Sequence, residues 1–104
     1  MQRAQTHLPP REDFAAAVSS GFGVHSGSDA PVEFTLVECN TLVDSSTHEC
    51  YTLLFRGPSD QPPVQGIYHL ENDKLGKLQL FLVPIKRDDQ GLYFEAVMNH
   101  LLSS

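Results

Sequence analysis

The sequence has no tryptophan, only two cysteines, and only seven basic residues against thirteen acidic ones. Sugar-binding clefts usually carry exposed aromatic rings, very often tryptophan, so the lack of tryptophan counts against the paired-carboxylate chemistry of glycosidases. The basic residues are scattered, and only Lys86 and Arg87 are adjacent. With a net charge of −6, binding to nucleic acid or to an anionic membrane surface is not expected.

Long apolar runs are also missing. No stretch approaches the roughly 20 apolar residues of a transmembrane helix. The first ten residues contain no apolar segment of the kind found in secretory signals. The expected location is therefore the cytoplasm, where Cys39 and Cys50 are expected to be reduced. No Gly-x-Gly-x-x-Gly or Walker pattern is present, so a nucleotide site has no support.

What is present is the composition of one globular domain. The 104 residues are 40% hydrophobic and include six Phe and three Tyr. A domain of this size buries about two-thirds of its unfolded surface without the help of a metal or a disulfide. We expect three parts: a flexible N-terminal arm over residues 1–10, a single domain over residues 11–99, and a C-terminal tail over residues 100–104.

One short helix is predicted over residues 11–21. Pro10 precedes it, and Glu12 and Asp13 lie in its first turn, where the helix dipole favours acidic residues. Three alanines raise its helix propensity. Phe14 begins an apolar stripe at the i, i+3, i+4 spacing of a buried helix face. Because a helix of about ten residues is marginal alone, it is expected to pack on a sheet.

Five or six short strands are expected after the helix, because apolar runs alternate with turn residues. No segment between them is long and helical enough for a parallel crossover, so the sheet is expected to be mainly antiparallel. Residues 40–49 are polar and are expected to form a connecting loop. The expected strands are residues 22–25, 32–39, 51–56, 66–71, 78–85 and 92–98.

These elements predict an α+β fold. An N-terminal helix would pack on a small, mainly antiparallel β-barrel or sandwich of five to six strands and would cover one open end. The pattern does not decide between a barrel and a sandwich.

Cys39, His48 and Cys50 are the first candidates for a metal site, with the spacing Cys-x8-His-x-Cys. Structural zinc sites usually supply four ligands, often with a close Cys pair, which this sequence lacks. A fourth ligand would have to be His25 or His69. A disulfide is a second alternative, and two partly buried, reduced thiols are favoured over both. No metal, cofactor or catalytic residue is predicted, since no nucleophile motif is present, and the protein is not expected to be an enzyme.

Four residues are predicted to form a structural framework or an interaction site: Arg56, Tyr68, Glu71 and Glu95. Arg56 ends an apolar strand just before a Gly-Pro pair. A guanidinium in this position is expected to pair with a carboxylate such as Glu71 or Glu95 on a neighbouring strand. Contact with a partner is the alternative role of Arg56.

Several sequence blocks resemble a family of small bacterial proteins of uncharacterised function. The blocks are Leu53–Pro58, Gln65–Gly76, Leu80–Ile85 and Tyr93–Asn99, and the resemblance extends over residues 11–99. It implies a helix-plus-sheet protein of about this length and no assigned chemistry. The family is associated with phage-tail-collar-like proteins, which implies an accessory or structural role in a tail-like assembly.

The preferred function is therefore a non-catalytic interaction or structural module that acts through an unidentified protein partner. An alternative is a ligand-binding or enzymatic barrel with a pocket lined by Tyr51, Tyr68, Tyr93 and His69. A third hypothesis is a homo-oligomer formed by the pairing of edge strands.

Overall fold

The computed structural model describes residues 9–25, 32–44 and 48–101. Most of the predicted N-terminal arm and the end of the predicted C-terminal tail lie outside the described residues. The elements are α1 (Arg11–Ala16), β1 (Gly21–His25), β2 (Val32–Asp44), β3 (His48–Gly57), β4 (Gly66–Asn72), β5 (Gly76–Asp88) and β6 (Gly91–Leu101).

The α+β prediction is wrong, because the described chain is almost entirely antiparallel sheet. α1 ends at Ala16, well before the predicted end. The backbone then turns at Ser19, which has a φ of +79°. The Ser19 N–H donates to the Leu36 carbonyl at 2.7 Å, and the Leu36 N–H donates to the Ser20 carbonyl at 3.1 Å. These bonds to β2 replace the last turns of the expected helix. Within the described residues, no helix has the length and apolar character needed to cross a bilayer.

Each strand pairs antiparallel with two neighbours. The order β1-β2-β3-β6-β5-β4 closes into a barrel through the pairing of β1 with β4. Two pairings, β1–β4 and β3–β6, join strands that are distant in sequence. Phe55 lies opposite Phe94, and Val24 lies opposite Leu70. All four side chains are buried. They, and the residues two positions away from them along each strand, point into the barrel.

The hairpin of β2 and β3 is longer than predicted, and the loop expected at residues 40–49 is mostly strand. Pairing continues to Asp44 opposite Glu49, and only the tip of the hairpin lies outside the described residues. A register shift between Thr41 and Val43 interrupts the regular alternation of side chains. Polar residues are compatible with strand here because this part of β2 is exposed to solvent.

Aromatic side chains fill the centre of the barrel. The rings of Phe34 and Phe94 stack with centroids 5.1 Å apart, and those of Phe22 and Phe55 meet edge to face at 5.2 Å. All four residues are fully buried. Leucines surround these rings, and the buried ones are Leu36, Leu53, Leu70, Leu78, Leu80, Leu82 and Leu92. Aromatic pairs in these geometries are favourable beyond the area that they bury.

Asn72 connects the turn between β4 and β5 to the start of β1. Its side-chain amide donates to the Gly21 carbonyl at 3.0 Å and to Ser20 Oγ at 3.2 Å. Its Oδ1 accepts from the backbone N–H groups of Lys74 and Leu75 at 2.9 and 3.0 Å. Asn72 is only 6% exposed, and a buried amide needs such partners to offset its desolvation. These bonds hold the turn against the strand that follows α1.

β5 pairs with different neighbours along its length. Residues 76–82 pair with β4, whereas Val83–Asp88 pair with β6 through Gly91–Glu95. β6 pairs with β3 over residues 92–101, but its residues after Glu95 have no partner on β5 among the described pairs. In the part of the chain that the structure describes, the seam between β5 and β6 is therefore closed at one end of the barrel only.

Candidate functional site

The structure does not bring the four predicted framework residues together. Arg56 and Glu95 lie on the outer face of the neighbouring strands β3 and β6, while Glu71 lies on the outer face of β4. Tyr68 points into the barrel. Within the described residues, no ion pair joins Arg56 to either carboxylate, so the expected pairing is not formed. The stem of Arg56 instead lies over Gly91, where an added Cβ would be 3.0 Å from Arg56 Cγ.

Tyr68 is partly buried and packs against the core. Its ring lies 6.1 Å from the ring of Phe34 and 5.5 Å from that of Phe94. Its hydroxyl donates to the carbonyl of Val64 in the loop before β4. Burial raises the pKa of Tyr68 above its usual value. The residue therefore anchors this loop to the barrel.

The four side chains of the predicted pocket do not converge. Tyr51 is fully buried inside the barrel, whereas Tyr93 and His69 lie on the outer faces of β6 and β4, which are not adjacent strands. Phenylalanine and leucine side chains occupy the space inside the barrel. The tyrosines and His69 therefore form no common ligand site.

The buried Tyr51 makes the free energy of unfolding depend on pH in the alkaline range. Burial raises the pKa of Tyr51, with a smaller contribution from the Glu49 carboxylate. In the unfolded chain Tyr51 ionises near its ordinary pKa of 10.0, while in the fold it stays neutral to a higher pH. Its contribution to stability is present below that unfolded pKa and is lost as pH rises toward the folded pKa.

We expect the free energy of unfolding to fall by up to about 1.4 kcal/mol per pH unit for Tyr51 above about pH 10. Tyr51→Phe removes the ionising group and should make this fall less steep. Urea unfolding followed by circular dichroism at about pH 8, 10 and 11 measures the slope. Identical slopes for the wild type and the variant would contradict a buried, neutral Tyr51.

The two cysteines are free and lie on opposite faces of the sheet. Cys39 is opposite the buried Leu53, and burial raises the pKa of its thiol. Cys50 is opposite Asn99, whose Oδ1 is hydrogen-bonded to Nε2 of His48. Among residues 9–25, 32–44 and 48–101, no group of three His, Cys, Asp or Glu side chains is arranged to hold a metal ion. The spacing of Cys39, His48 and Cys50 therefore does not produce a common site.

β1 forms the floor of a groove on the outside of the barrel. Its outward positions include Gly21 and Gly23, which have no side chains. Glu33 on β2 and Glu71 on β4 lie opposite Gly23 on its two sides. We call this region the acidic groove. It has a volume of about 440 Å³ and is lined by Gly21, Gly23, His25, Val32, Glu33, Glu71 and Asp73.

Carboxylates dominate the acidic groove. His25 Nε2 lies 3.3 Å from Glu71 Oε1, and both side chains are half exposed. The Glu33 carboxylate extends over Gly21, where an added Cβ would lie 1.9 Å from Oε2. Within the described residues, Glu33 and Asp73 form no ion pair. The groove is therefore suited to a positively charged group.

The face opposite β1 is centred on β6, because these strands are three positions apart in the closed six-strand order. Tyr93 points outward from β6, and its neighbours in register are Arg56 on β3 and Lys86 on β5. Lys86 Nζ lies 4.7 Å from the centroid of the Tyr93 ring, a cation–π contact. Although it points outward, Tyr93 is only 7% exposed, in keeping with cover from these long side chains. We call Arg56, Tyr93 and Lys86 the cationic face.

The cations of this face have no carboxylate partner in the described part of the chain. Neither Arg56 nor Lys86 forms an ion pair there. Arg87, next to Lys86, donates from Nη2 to the Gln61 carbonyl at 2.9 Å. Three of the seven basic residues are thus gathered in one region of a chain whose net charge is −6.

An apolar area adjoins the cationic face. Ile67 on β4 lies opposite Phe81 on β5, and their side chains are 59% and 50% exposed. Val97 on β6 is 62% exposed. We call Ile67 and Phe81 the apolar face. On β5, the buried Leu78, Leu80 and Leu82 alternate with the exposed Gln79 and Phe81, which separates an inner from an outer face.

A comparison with protein families assigns the chain. The family described as "Domain of unknown function (DUF6916)" matches residues 9–98. The chain belongs to this family. The prediction of an uncharacterised family is thereby confirmed. The DUF6916 match includes the acidic groove, the cationic face and the apolar face. No curated protein and no solved structure matches the chain.

Proposed function

We propose that this DUF6916 protein is a non-catalytic interaction module that acts through a protein partner, with the apolar face as its contact surface. The observation that carries the proposal is the direct opposition of Ile67 and Phe81, both at least half exposed, on adjacent strands. Single exposed apolar residues are normal, but adjacent ones surrounded by polar residues are typical of an interaction site.

The filled interior supports a role for the outer surface. The aromatic and leucine core occupies the space in which a ligand-binding barrel would hold its ligand. The segments that carry Ile67 and Phe81 pair directly with each other, over residues 66–72 of β4 and 76–82 of β5. A contact surface built on paired strands is more rigid than one built on loops, and less order must be gained on binding.

The finer form of the proposal is an accessory or structural role in a phage-tail-like assembly. It is supported by the resemblance of Leu53–Pro58, Gln65–Gly76 and Leu80–Ile85 to a family associated with tail-collar-like proteins. The cytoplasm is the proposed location, in keeping with the free thiols of Cys39 and Cys50.

Phe81→Glu is expected to weaken binding to the partner by about tenfold or more, because a carboxylate would be buried without a partner in the contact. The fold should be unaffected, since the Phe81 side chain is half exposed. Gln79→Glu is the matched control, because it adds the same charge at an exposed position on the same strand and face. Tagged wild type and both variants, incubated with a host lysate and compared by quantitative mass spectrometry, measure the difference.

A protein retained by the wild type and by Gln79→Glu but lost from Phe81→Glu supports the apolar face as the contact surface. Equal recovery with all three proteins rules it out. The identity of the lost protein tests the finer form, since a tail-assembly component supports it and any other class of protein contradicts it.

A further inference from the structure

The barrel carries two surfaces of opposite charge on opposite sides. The acidic groove is centred on β1, and the cationic face is centred on β6, three positions away in the closed order. The register links the two surfaces around the barrel, since Gly21, Thr35, Arg56, Tyr93 and Lys86 follow one another across neighbouring strands from β1 to β5. Two copies placed side by side in the same orientation would thus bring unlike surfaces together.

We propose that the protein binds further copies of itself head to tail, with the cationic face of one copy seated in the acidic groove of the next. This inference goes beyond the proposed function, which concerns a different protein and a different surface. A head-to-tail contact joins two different patches and leaves one of each free at the ends of the assembly. It therefore builds rings or open filaments rather than a two-fold dimer.

The charges of the two surfaces complement each other. Glu33 and Asp73 on the groove side, and Arg56 and Lys86 on the other side, have no ion-pair partner in the described part of the chain. An ammonium or guanidinium group placed over Gly23 would lie between Glu33 and Glu71, which flank this glycine in register. Complementary charges of this kind set orientation and increase the rate of association.

The shapes of the two surfaces are also compatible. Gly23 leaves the middle of the groove without an outward side chain, while the Glu33 carboxylate lies over Gly21, and the groove has a volume of about 440 Å³. Lys86 is exposed, and its ammonium is held 4.7 Å from the centre of the Tyr93 ring. The ring limits the directions available to the lysine, so less conformational freedom is lost on binding. Other charges near the groove are Lys77, which is opposite Glu71 in register, and His25.

The test uses two charge-reversed variants of the full chain, Lys86→Glu and Glu33→Lys. Sedimentation velocity over a range of protein concentrations measures the association constant of each. Each variant alone should associate about tenfold or more weakly than the wild type, because like charges then meet at every contact. An equimolar mixture should regain association. In the mixture, the unchanged cationic face of one variant meets the unchanged groove of the other, and the two reversed charges meet each other.

Rescue by mixing separates this proposal from misfolding, since two misfolded variants would not restore each other. Lys77→Glu is the control for net charge. It makes the same change in charge as Lys86→Glu, but beside the groove, and should leave association equal to the wild type or tighter. Raising the salt from about 0.1 M to about 1 M, which shortens the Debye length from about 10 Å to about 3 Å, should weaken association of the wild type.

A wild type that is monomeric at every concentration overturns the proposal. So does an assembly that neither reversal weakens, or a mixture that behaves like the average of its two components. An isologous dimer, including one formed through edge strands, would appear as a species that stops at twice the monomer mass. None of these outcomes bears on the loss of partner binding in Phe81→Glu, so the two proposals fail independently.

Discussion

Phe94→Ala is expected to lower the free energy of unfolding by about 3–5 kcal/mol. Phe94 is fully buried, stacks on Phe34 at 5.1 Å, and lies 5.5 Å from the ring of Tyr68. Removing its ring leaves a cavity in the centre of the barrel. Strands that are paired on both sides cannot move inward freely to fill it, so the loss includes the cost of the cavity as well as the lost burial.

Urea unfolding followed by far-UV circular dichroism measures this change in a chain that has no tryptophan to report by fluorescence. Val97→Ala is the control on the same strand. Because Val97 is 62% exposed, its truncation should change stability by less than about 0.5 kcal/mol. If Phe94→Ala cost no more than Val97→Ala, the interior would not be packed as described, and a hollow, ligand-binding barrel would have to be reconsidered.

Gly91→Ala should be the most damaging single-methyl substitution that we predict. Gly91 begins β6 with a φ of +153°, a conformation that residues with a side chain rarely adopt. An added Cβ would lie 2.2 Å from the carbonyl oxygen of Gly57, its neighbour on β3. Because that atom belongs to the backbone of a paired strand, relief of the overlap would disturb the pairing itself. We expect a loss of at least about 3 kcal/mol from backbone strain and overpacking together.

Gly66→Ala provides a closely matched control. Gly66 has a φ of +155°, but an added Cβ would have no atom within 4 Å. Its replacement therefore reports the backbone strain alone, about 1–3 kcal/mol. The difference between the two melting curves isolates the overlap with the Gly57 carbonyl. Equal losses in the two variants would show that this overlap is relieved without disturbing β3.

Local patterns predicted most of the strands correctly and failed where tertiary contacts decide the outcome. The antiparallel pairing follows from short apolar runs separated by turn residues, as in the segment ending at Gly57-Pro58. The predicted length of the helix was wrong because residues after Ala16 hydrogen-bond to Leu36 on β2 instead of continuing the helix. Three alanines raise helix propensity by amounts that such pairing easily exceeds.

The prediction of a loop at residues 40–49, between β2 and β3, was wrong for a different reason. A strand is recognised in a sequence by the apolar residues of its buried face. Polar residues such as Asn40 and Thr41 give no such signal and therefore suggest a loop. Their side chains are exposed in the structure, and the strand is held by backbone bonds that carry no sequence signal. The register shift after Thr41 also interrupts the alternation of inward and outward side chains that would otherwise have indicated a strand.

The candidate surfaces were the least predictable part. Glu33, Gly23 and Glu71 come from three separate segments, and only the pairing of β1 with β4 places them in one row. The expected partners of Arg56, Glu71 or Glu95, depend on strand order, which local patterns do not specify. Tyr93 shows the same limit, since its contact with Lys86 requires the register of β5 against β6.

The closing role of β1 has a consequence for how the chain folds. β1 is synthesised early, but it completes the ring only by pairing with β4, which emerges much later. Pairings between such distant segments carry a larger loop-closure entropy and tend to form late in folding. Before closure, the edges of β1 and β4 can pair with other chains, so the protein is prone to aggregation at that stage. Substitutions that weaken the β1–β4 pairing are expected to speed unfolding more than they slow folding, and stopped-flow folding and unfolding rates over a range of urea concentrations measure the difference.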